Sequence, residues 1–310
     1  MKILITGASG FTGGYLTAHI RQEVGKDNPE TELFGLYRSG MPDDNNPVIP
    51  VSADICDAAA VSELIEKIRP DYVIHLAGGR FGSLESLFQV NVSGTANILE
   101  GMRDHCDESS RFLYVSSSAV YGYVGDNRIP EETPLRPVGE YGITKAAGEM
   151  AALSYSLKYG MNVSVVRPFN LLGPGQDESF VTGKIILQTR EVLDGKGDAL
   201  SLYSLDSRRD FIDVRDAASA YWKIISSSEF GDKCRGRIFN AGSGESTSIR
   251  HIISLLEEIT GKEIRVNLPE SVRPEIIPNQ ISDNRLISDS LGWSPLYDLK
   301  KTLSDMLEFY

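Results

Sequence analysis

Six short apolar runs punctuate the first half of this 310-residue chain, and they leave few folds open. They are KILIT (2–6), ELFGLY (32–37), VIPVSA (48–53), DYVIHLA (71–77), RFLYVSS (111–117) and NVSVVRPF (162–169), separated by longer stretches with a helical pattern. Runs this short, rich in β-branched residues and apolar without alternation, suit parallel strands covered on both faces. Strands alternating with helices imply right-handed crossovers, hence an α/β fold with a doubly wound parallel sheet. After Asn170 the rhythm breaks, with glycine and proline crowding LLGPGQDESF (171–180), and GRIFNAG (236–242) is predicted to rejoin the sheet. We therefore expect residues 1–170, rejoined by about 210–242, to form one domain. Residues 171–209 and 243–310, including the helix in TSIRHIISLLEEITG, would form a smaller C-terminal substrate-binding lobe. A lobe over the carboxyl edge of a parallel sheet creates a cleft for a second ligand.

Charge and composition exclude several functions. A net charge of -12 argues against nucleic acid or an anionic membrane as partner, since both need a basic surface. Cys56, Cys106 and Cys234 lie far apart without metal-ligand spacing, and the four histidines form no local cluster, so no metal is expected. No apolar run approaches the roughly 18 residues of a membrane span, and MKILIT is too short for a signal peptide. Idle thiols fit a reducing, cytoplasmic location.

The segment ITGASGFTGGYL joins the first strand to the first helix and spaces Gly7, Gly10 and Gly13 as G-x-x-G-x-x-G. Such glycines permit a tight turn, close approach to a diphosphate and close packing of helix on strand, as in a Rossmann domain. The phosphates then meet free N–H groups at the positive helix end. An NAD enzyme usually ends the second strand with an acidic residue for the ribose 2'-hydroxyl. Here Tyr37 is followed by Arg38 and Ser39, which favours the 2'-phosphate of NADP(H) over NAD(H). Asp54 is placed on the adenine amino group and Ile55 against the ring.

EYGITK (140–145) sets Tyr141 and Lys145 four residues apart, on one face of a helix. An ammonium that close is expected to draw the phenol below its reference value near 10 and make it a usable acid or base. Tyr297 and Lys301 repeat the spacing, but no strand-end serines precede them, and we read them as surface helix. Tyr141 instead follows LYVSSSAVYG (113–122), where a buried strand runs out into Ser116, Ser117 and Ser118.

The glycine loop, the strand-end serines and Tyr141/Lys145, in this order, resemble the short-chain dehydrogenase/reductase superfamily, and within it the extended branch that acts on nucleotide sugars. DYVIHLAGG, NVSGTANILEG (91–101), RRDFIDVRDAASAY (208–221) and DNRLISDSLGWSP (283–295) extend the likeness over nearly the whole chain. The resemblance implies that Tyr141 exchanges a proton with a sugar oxygen while Lys145 also bonds the cofactor ribose. It implies that Ser117, four residues before Tyr121, shares the reacting oxygen, with Ser118 as the alternative. It places Phe11, Thr12, Leu76, Ala77 and Gly78 along the cofactor, with Asn91 and Pro168 near its nicotinamide half.

Family members that dehydrate carry an Asp-Glu pair just after the catalytic hydroxyl, where this chain has Ser118 and Ala119. Those that also epimerise at C3 and C5 commonly use Cys and His, and no cysteine lies in the expected cleft segments. Hydride transfer at C4 of a 4-keto-6-deoxyhexose, or 4-epimerisation with retained NAD, is what remains. VRPFNLLGPGQDESFV (166–181) resembles GDP-4-keto-6-deoxy-D-mannose reductases and GDP-mannose dehydratases, so a GDP-linked sugar is favoured. Leu171 replaces their histidine and Glu275-Ile276 their Ser-Asp, which leaves dTDP, CDP and UDP open. Asn170, Arg209 and Arg273 are assigned to the substrate's diphosphate or sugar, Phe180, Val181 and Lys184 to its nucleotide side, and Arg80 to covering the sugar. The helices beginning near Asn91 and Tyr141 carry apolar positions on more than one face, and relatives pair them into a four-helix interface, so a homodimer is expected.

Overall fold

The computed structural model describes residues 1–27, 30–38, 48–270 and 276–310. Seven parallel strands form its central sheet: β1 (Lys2–Thr6), β2 (Glu32–Tyr37), β3 (Ile49–Ser52), β4 (Tyr72–His75), β5 (Arg111–Val115), β6 (Asn162–Pro168) and β7 (Ile238–Ala241). Their order across the sheet is β3-β2-β1-β4-β5-β6-β7, so the winding reverses between β1 and β4 and opens a crevice at their carboxyl ends. GRIFNAG thus rejoins the sheet, pairing its edge strand with β6. Strands β4 and β5 stop two residues short of their apolar runs. Leu76 and Ala77 leave the end of β4 and Ser116 and Ser117 the end of β5, and these residues line the clefts above the sheet.

Helix α1 (Phe11–Asp27) covers one face of the sheet, while α2 (Ala58–Ile68), α3 (Gly94–His105) and α4 (Gly139–Tyr159) cover the other. Helix α5 (Val214–Ile225) returns to the first face beside α1. A separate apolar cluster joins helices Val181–Leu193, Ile249–Thr260 and Leu299–Phe309 through Ile185, Ile252, Leu256, Leu303 and Met306. Ile287, Leu291 and Trp293, although late in the chain, pack into the sheet core rather than that cluster.

The helix expected to open at Asn91 begins earlier. Ser83 caps residues Leu84–Phe88 by accepting from the Ser86 N–H at 3.2 Å. The backbone then widens into a π-helical stretch, Gln89–Ser93, before α3. That widening turns the Asn91 amide inward, where it accepts from the Gly79 N–H at 2.7 Å and donates to the Gly79 carbonyl and to Thr144 Oγ1, each at 2.9 Å. The second Tyr-to-Lys match also departs from expectation. Asp298 caps the last helix, whose first residue is Leu299, so Tyr297 precedes the helix that holds Lys301.

Two buried polar networks lock the strand ends. Thr95 Oγ1 donates to the Asn91 carbonyl at 2.8 Å, so the proton in its 3.1 Å contact with His75 must sit on Nε2. His75 Nδ1 then accepts from Thr6 Oγ1 at 2.7 Å, and burial, aided by the Lys145 charge, drives the imidazole down to about 3, keeping it neutral. In the second network, Arg167 of β6 pairs with Glu149 of α4, donates to Tyr121 Oη at 2.7 Å and to the Glu131 carbonyl at 2.9 Å. Ser116 Oγ donates to the same Glu149 at 2.8 Å. Removing one partner of a fully buried ion pair leaves the other charge uncompensated, which typically costs about 3–5 kcal/mol. Glu149→Ala should therefore lower unfolding stability by about that amount in urea denaturation, and an unchanged midpoint would refute the account.

Candidate active site

The glycine turn between β1 and α1 is built to let backbone approach backbone. Gly7 has φ +72°, and a Cβ there would lie 2.8 Å from the Ala77 nitrogen. The Gly10 N–H closes the turn onto the Gly7 carbonyl at 3.0 Å, leaving the first N–H groups of α1 without intrahelical partners and facing the crevice. Two adjoining clefts of about 570 and 630 Å³ share Gly7, Gly10, Leu76 and Arg80 along their common wall. A cradle that only glycine fits, at a helix N-terminus over the strand-order reversal, suits a dinucleotide diphosphate.

The expected cofactor residues divide between these clefts. Arg38, Asp54, Ile55, Ala77 and Gly78 line one; Phe11, Thr12, Gly13 and Pro168, with Tyr141 and Lys145, line the other. Asp54 also accepts from the Cys56 N–H at 2.9 Å, which holds the loop in place. Tyr37 is turned into the core, and Ser39 lies outside the described residues. Asn91 has a buried amide that ties Gly79 to Thr144 and so positions the loop that lines the second cleft.

Ser117, Tyr141 and Lys145 come together where α4 crosses the end of β5. Gly142 makes this approach possible, because a Cβ there would stand 2.8 Å from the Ala119 carbonyl oxygen. Ser117 Oγ accepts from the Ala119 N–H at 3.1 Å and stands beside the Tyr141 phenol. Lys145 donates to the Val115 carbonyl at 2.6 Å, with its ammonium 4.8 Å from the centre of the Tyr114 ring. The phenol's acidity differs from the sequence expectation. Burial pushes Tyr141 up, and the neighbouring Ser117 hydroxyl and the Arg80 charge, not Lys145, oppose that rise. The reason is aim: the amine is spent on the strand-end carbonyl. Lys145 itself is brought down to about 8 by burial, against the pull of Glu149 one turn along the helix.

The substrate side is less uniform. Ser118, Asn170, Phe180, Val181 and Arg209 line the same cleft as Tyr141. Asn170 Nδ2 donates to the Asp210 carbonyl at 3.1 Å, and Arg209 Nη1 to the Arg208 carbonyl at 2.8 Å. Asp213 is held by Arg215 and Thr302, and Asp210 by Ser243, Gly244 and Ser282. Arg208 points away to Ser246. The Lys184 ammonium stands 5.9 Å from the centre of the Tyr203 ring, one helical turn beyond Phe180. Arg273 and Glu275 lie outside the described residues. Arg80 bridges the cleft mouth, stacked 3.8 Å from the Phe180 ring centre and donating to the Ser179 carbonyl and hydroxyl at 3.0 Å.

Three contributors escaped the sequence reading. Gln280 donates to the carbonyls of Ser118 at 3.2 Å and Gly122 at 2.9 Å, clamping the serine turn from far along the chain. Tyr221 lines the cleft from α5. Glu149 extends the Tyr141–Lys145 face by one more helical turn, and that spacing was its only local signal. Among the described residues, no helix is long and apolar enough to cross a membrane.

Known proteins share this architecture along their whole length. The family profile described as GDP-mannose 4,6 dehydratase matches residues 4–306. A GDP-6-deoxy-D-mannose reductase from Pseudomonas aeruginosa is 31% identical over 315 residues, covering 99% of this chain and 96% of that one. The structure of RMD from Pseudomonas aeruginosa complexed with NADPH superposes with a TM-score of 0.82 at 28% identity, covering 99% of this chain and 97% of that one. A UDP-glucuronic acid 4-epimerase from Bacillus cereus, solved with UDP-glucuronic acid and NAD, gives a TM-score of 0.85 at 26% identity, covering 100% and 98%.

The Lys145 geometry sets a pH signature. Its amine titrates at about 8 when folded and 10.5 ordinarily, so between those values the unfolded chain binds more protons and stability rises with pH. Lys145→Met lacks this gain. The stability of wild type relative to Lys145→Met should therefore climb between about pH 8 and about pH 10, measured by denaturant titration. A pH-independent difference would mean that the amine is not buried as described.

Proposed function

Since this chain belongs to the extended short-chain dehydrogenase/reductase family of NAD(P)-dependent nucleotide-sugar enzymes, we propose that it reduces the C4 ketone of a nucleotide-linked 4-keto-6-deoxyhexose. The observation that carries this reading is the convergence of Ser117, Tyr141 and Lys145 in one cleft whose described lining lacks the groups for elimination. Among the described lining residues Asp177 supplies the single carboxylate, and hydrogen bonds from Ser179 hold it below its ordinary range, as a poor proton carrier. Ser118 and Ala119 occupy the positions where a dehydratase would carry its acidic pair, and Ser118 Oγ is turned to Gln280 at 3.4 Å.

A bound reduced nicotinamide supplies the hydride. Tyr141 delivers a proton to the sugar O4 while the Ser117 hydroxyl donates to the same oxygen as charge develops on it. Lys145, poised near neutrality, bonds the cofactor ribose and favours return of the phenol proton. Arg209 and Arg273 take the substrate diphosphate, arginine being suited to bidentate phosphate contact, with Asn170 and Ser118 beside the sugar. Phe180 and Val181 flank the nucleotide, for which guanine is favoured. Arg38, exposed beside the cleft that holds Asp54, supports NADPH over NADH. The lobe built from residues 171–209 and 243–310 would carry the substrate and residues 1–170 the cofactor. Ile143, Met150 and Leu157, seven residues apart on α4 and 39, 66 and 88% exposed, support pairing of two copies through this helix in a cytoplasmic homodimer.

The likeness to a 4-epimerase favours a second reading, in which NAD stays bound and hydride returns to the opposite face of C4. The two separate in one assay. With GDP-, dTDP-, CDP- or UDP-linked 4-keto-6-deoxy sugars, a reductase consumes NADPH stoichiometrically by absorbance, whereas an epimerase interconverts two epimers without net oxidation. Tyr141→Phe should lower kcat by about 10²–10⁴-fold while retaining NADPH binding by calorimetry. Undiminished turnover in that variant would remove Tyr141 from the chemistry.

A further inference from the structure

Of the buried side-chain polar atoms without a hydrogen-bond partner among the described residues, only Tyr221 Oη belongs to a residue lining the cleft of Tyr141. Tyr221 is 0% exposed and belongs to the apolar cluster that includes Ile5, Val115, Val166 and Ile212. Helix α5 starts at Val214, directly after the strand Phe211–Asp213. Helical side chains lean toward their own N-terminus, and Tyr221 lines the same cleft as Leu76, Val115, Tyr141 and Pro168. Buried hydroxyls are normally paired, and leaving one unpaired costs stability.

The two ends of a dinucleotide make opposite demands. Arg38 and Asp54 put the adenosine half in the second cleft, which leaves the nicotinamide half in the first, beside Tyr141. That ring carries one strongly hydrogen-bonding substituent, its carboxamide, able to accept at oxygen and donate at nitrogen. Burial, with Tyr141 close by, pushes the Tyr221 phenol up, so it stays protonated and serves as a hydrogen-bonding group rather than a proton carrier.

We propose that the Tyr221 hydroxyl anchors the nicotinamide carboxamide from beneath the cleft, fixing how the ring is turned toward Tyr141. This rests on the dinucleotide reading of the two clefts. The test compares wild type and Tyr221→Phe in calorimetric binding of NADPH and of 2'-phospho-ADP-ribose, which lacks the nicotinamide, together with the melting temperature of the ligand-free protein. We expect the variant to lose about three- to tenfold in NADPH affinity, the worth of one neutral hydrogen bond. It should bind 2'-phospho-ADP-ribose as wild type does and melt, ligand-free, at or above the wild-type temperature. Unchanged NADPH affinity, an equal loss on both ligands, or a lower ligand-free melting temperature would overturn the anchor alone, the last indicating a hydroxyl already satisfied by a buried water. Wild type binding neither ligand would instead overturn the dinucleotide reading and the anchor with it.

Discussion

A buried lysine bonded to the last carbonyl of a parallel strand holds this site together. Lys145 reaches from α4 to the Val115 carbonyl, and Glu149, one turn further along, reaches Ser116 and the Arg167 guanidinium of the neighbouring strand. Two charged side chains from one helix thus pin it to the ends of two adjacent strands. Ser117, next after Ser116, is delivered to the phenol of Tyr141 as a consequence. Burying such charges is costly unless each is paired, and here each finds a carbonyl, a carboxylate or a guanidinium.

The same economy governs the loops. Asn91 ties Gly79, beyond β4, to Thr144 of α4, while neutral His75 links Thr6 of β1 to Thr95 of α3. The two strands that flank the crevice are therefore braced by side-chain hydrogen bonds just beneath the glycine turn. An acidic protein can still offer anion sites above such a frame, because Arg38, Arg80 and Arg209 all line the clefts. Local potential, not net charge, decides what a cleft attracts.

Much of this was legible in the chain because it is written in local periodicity. Unbroken apolar runs between helical stretches specify a parallel sheet, and Gly7 between strand and helix specifies a turn that no larger residue could occupy. Contacts between distant segments were not legible. Nothing around Gln280 announces that it clamps Ser118 across the fold, and nothing around Tyr221 announces that it lines the cleft from α5.

The sequence alone determined the α/β alternation, the place of the glycine turn, and the tyrosine and lysine sharing one helical face, since each depends on neighbours a few residues apart. Only the tertiary structure decided where the Lys145 amine points, which way the Tyr141 phenol is shifted, and that cleft-lining Tyr221 keeps a buried hydroxyl without a partner. Those outcomes depend on burial and on carbonyls contributed by other strands. Desolvation and hydrogen-bond aim are properties of packed surroundings, and residue spacing along a chain does not contain them.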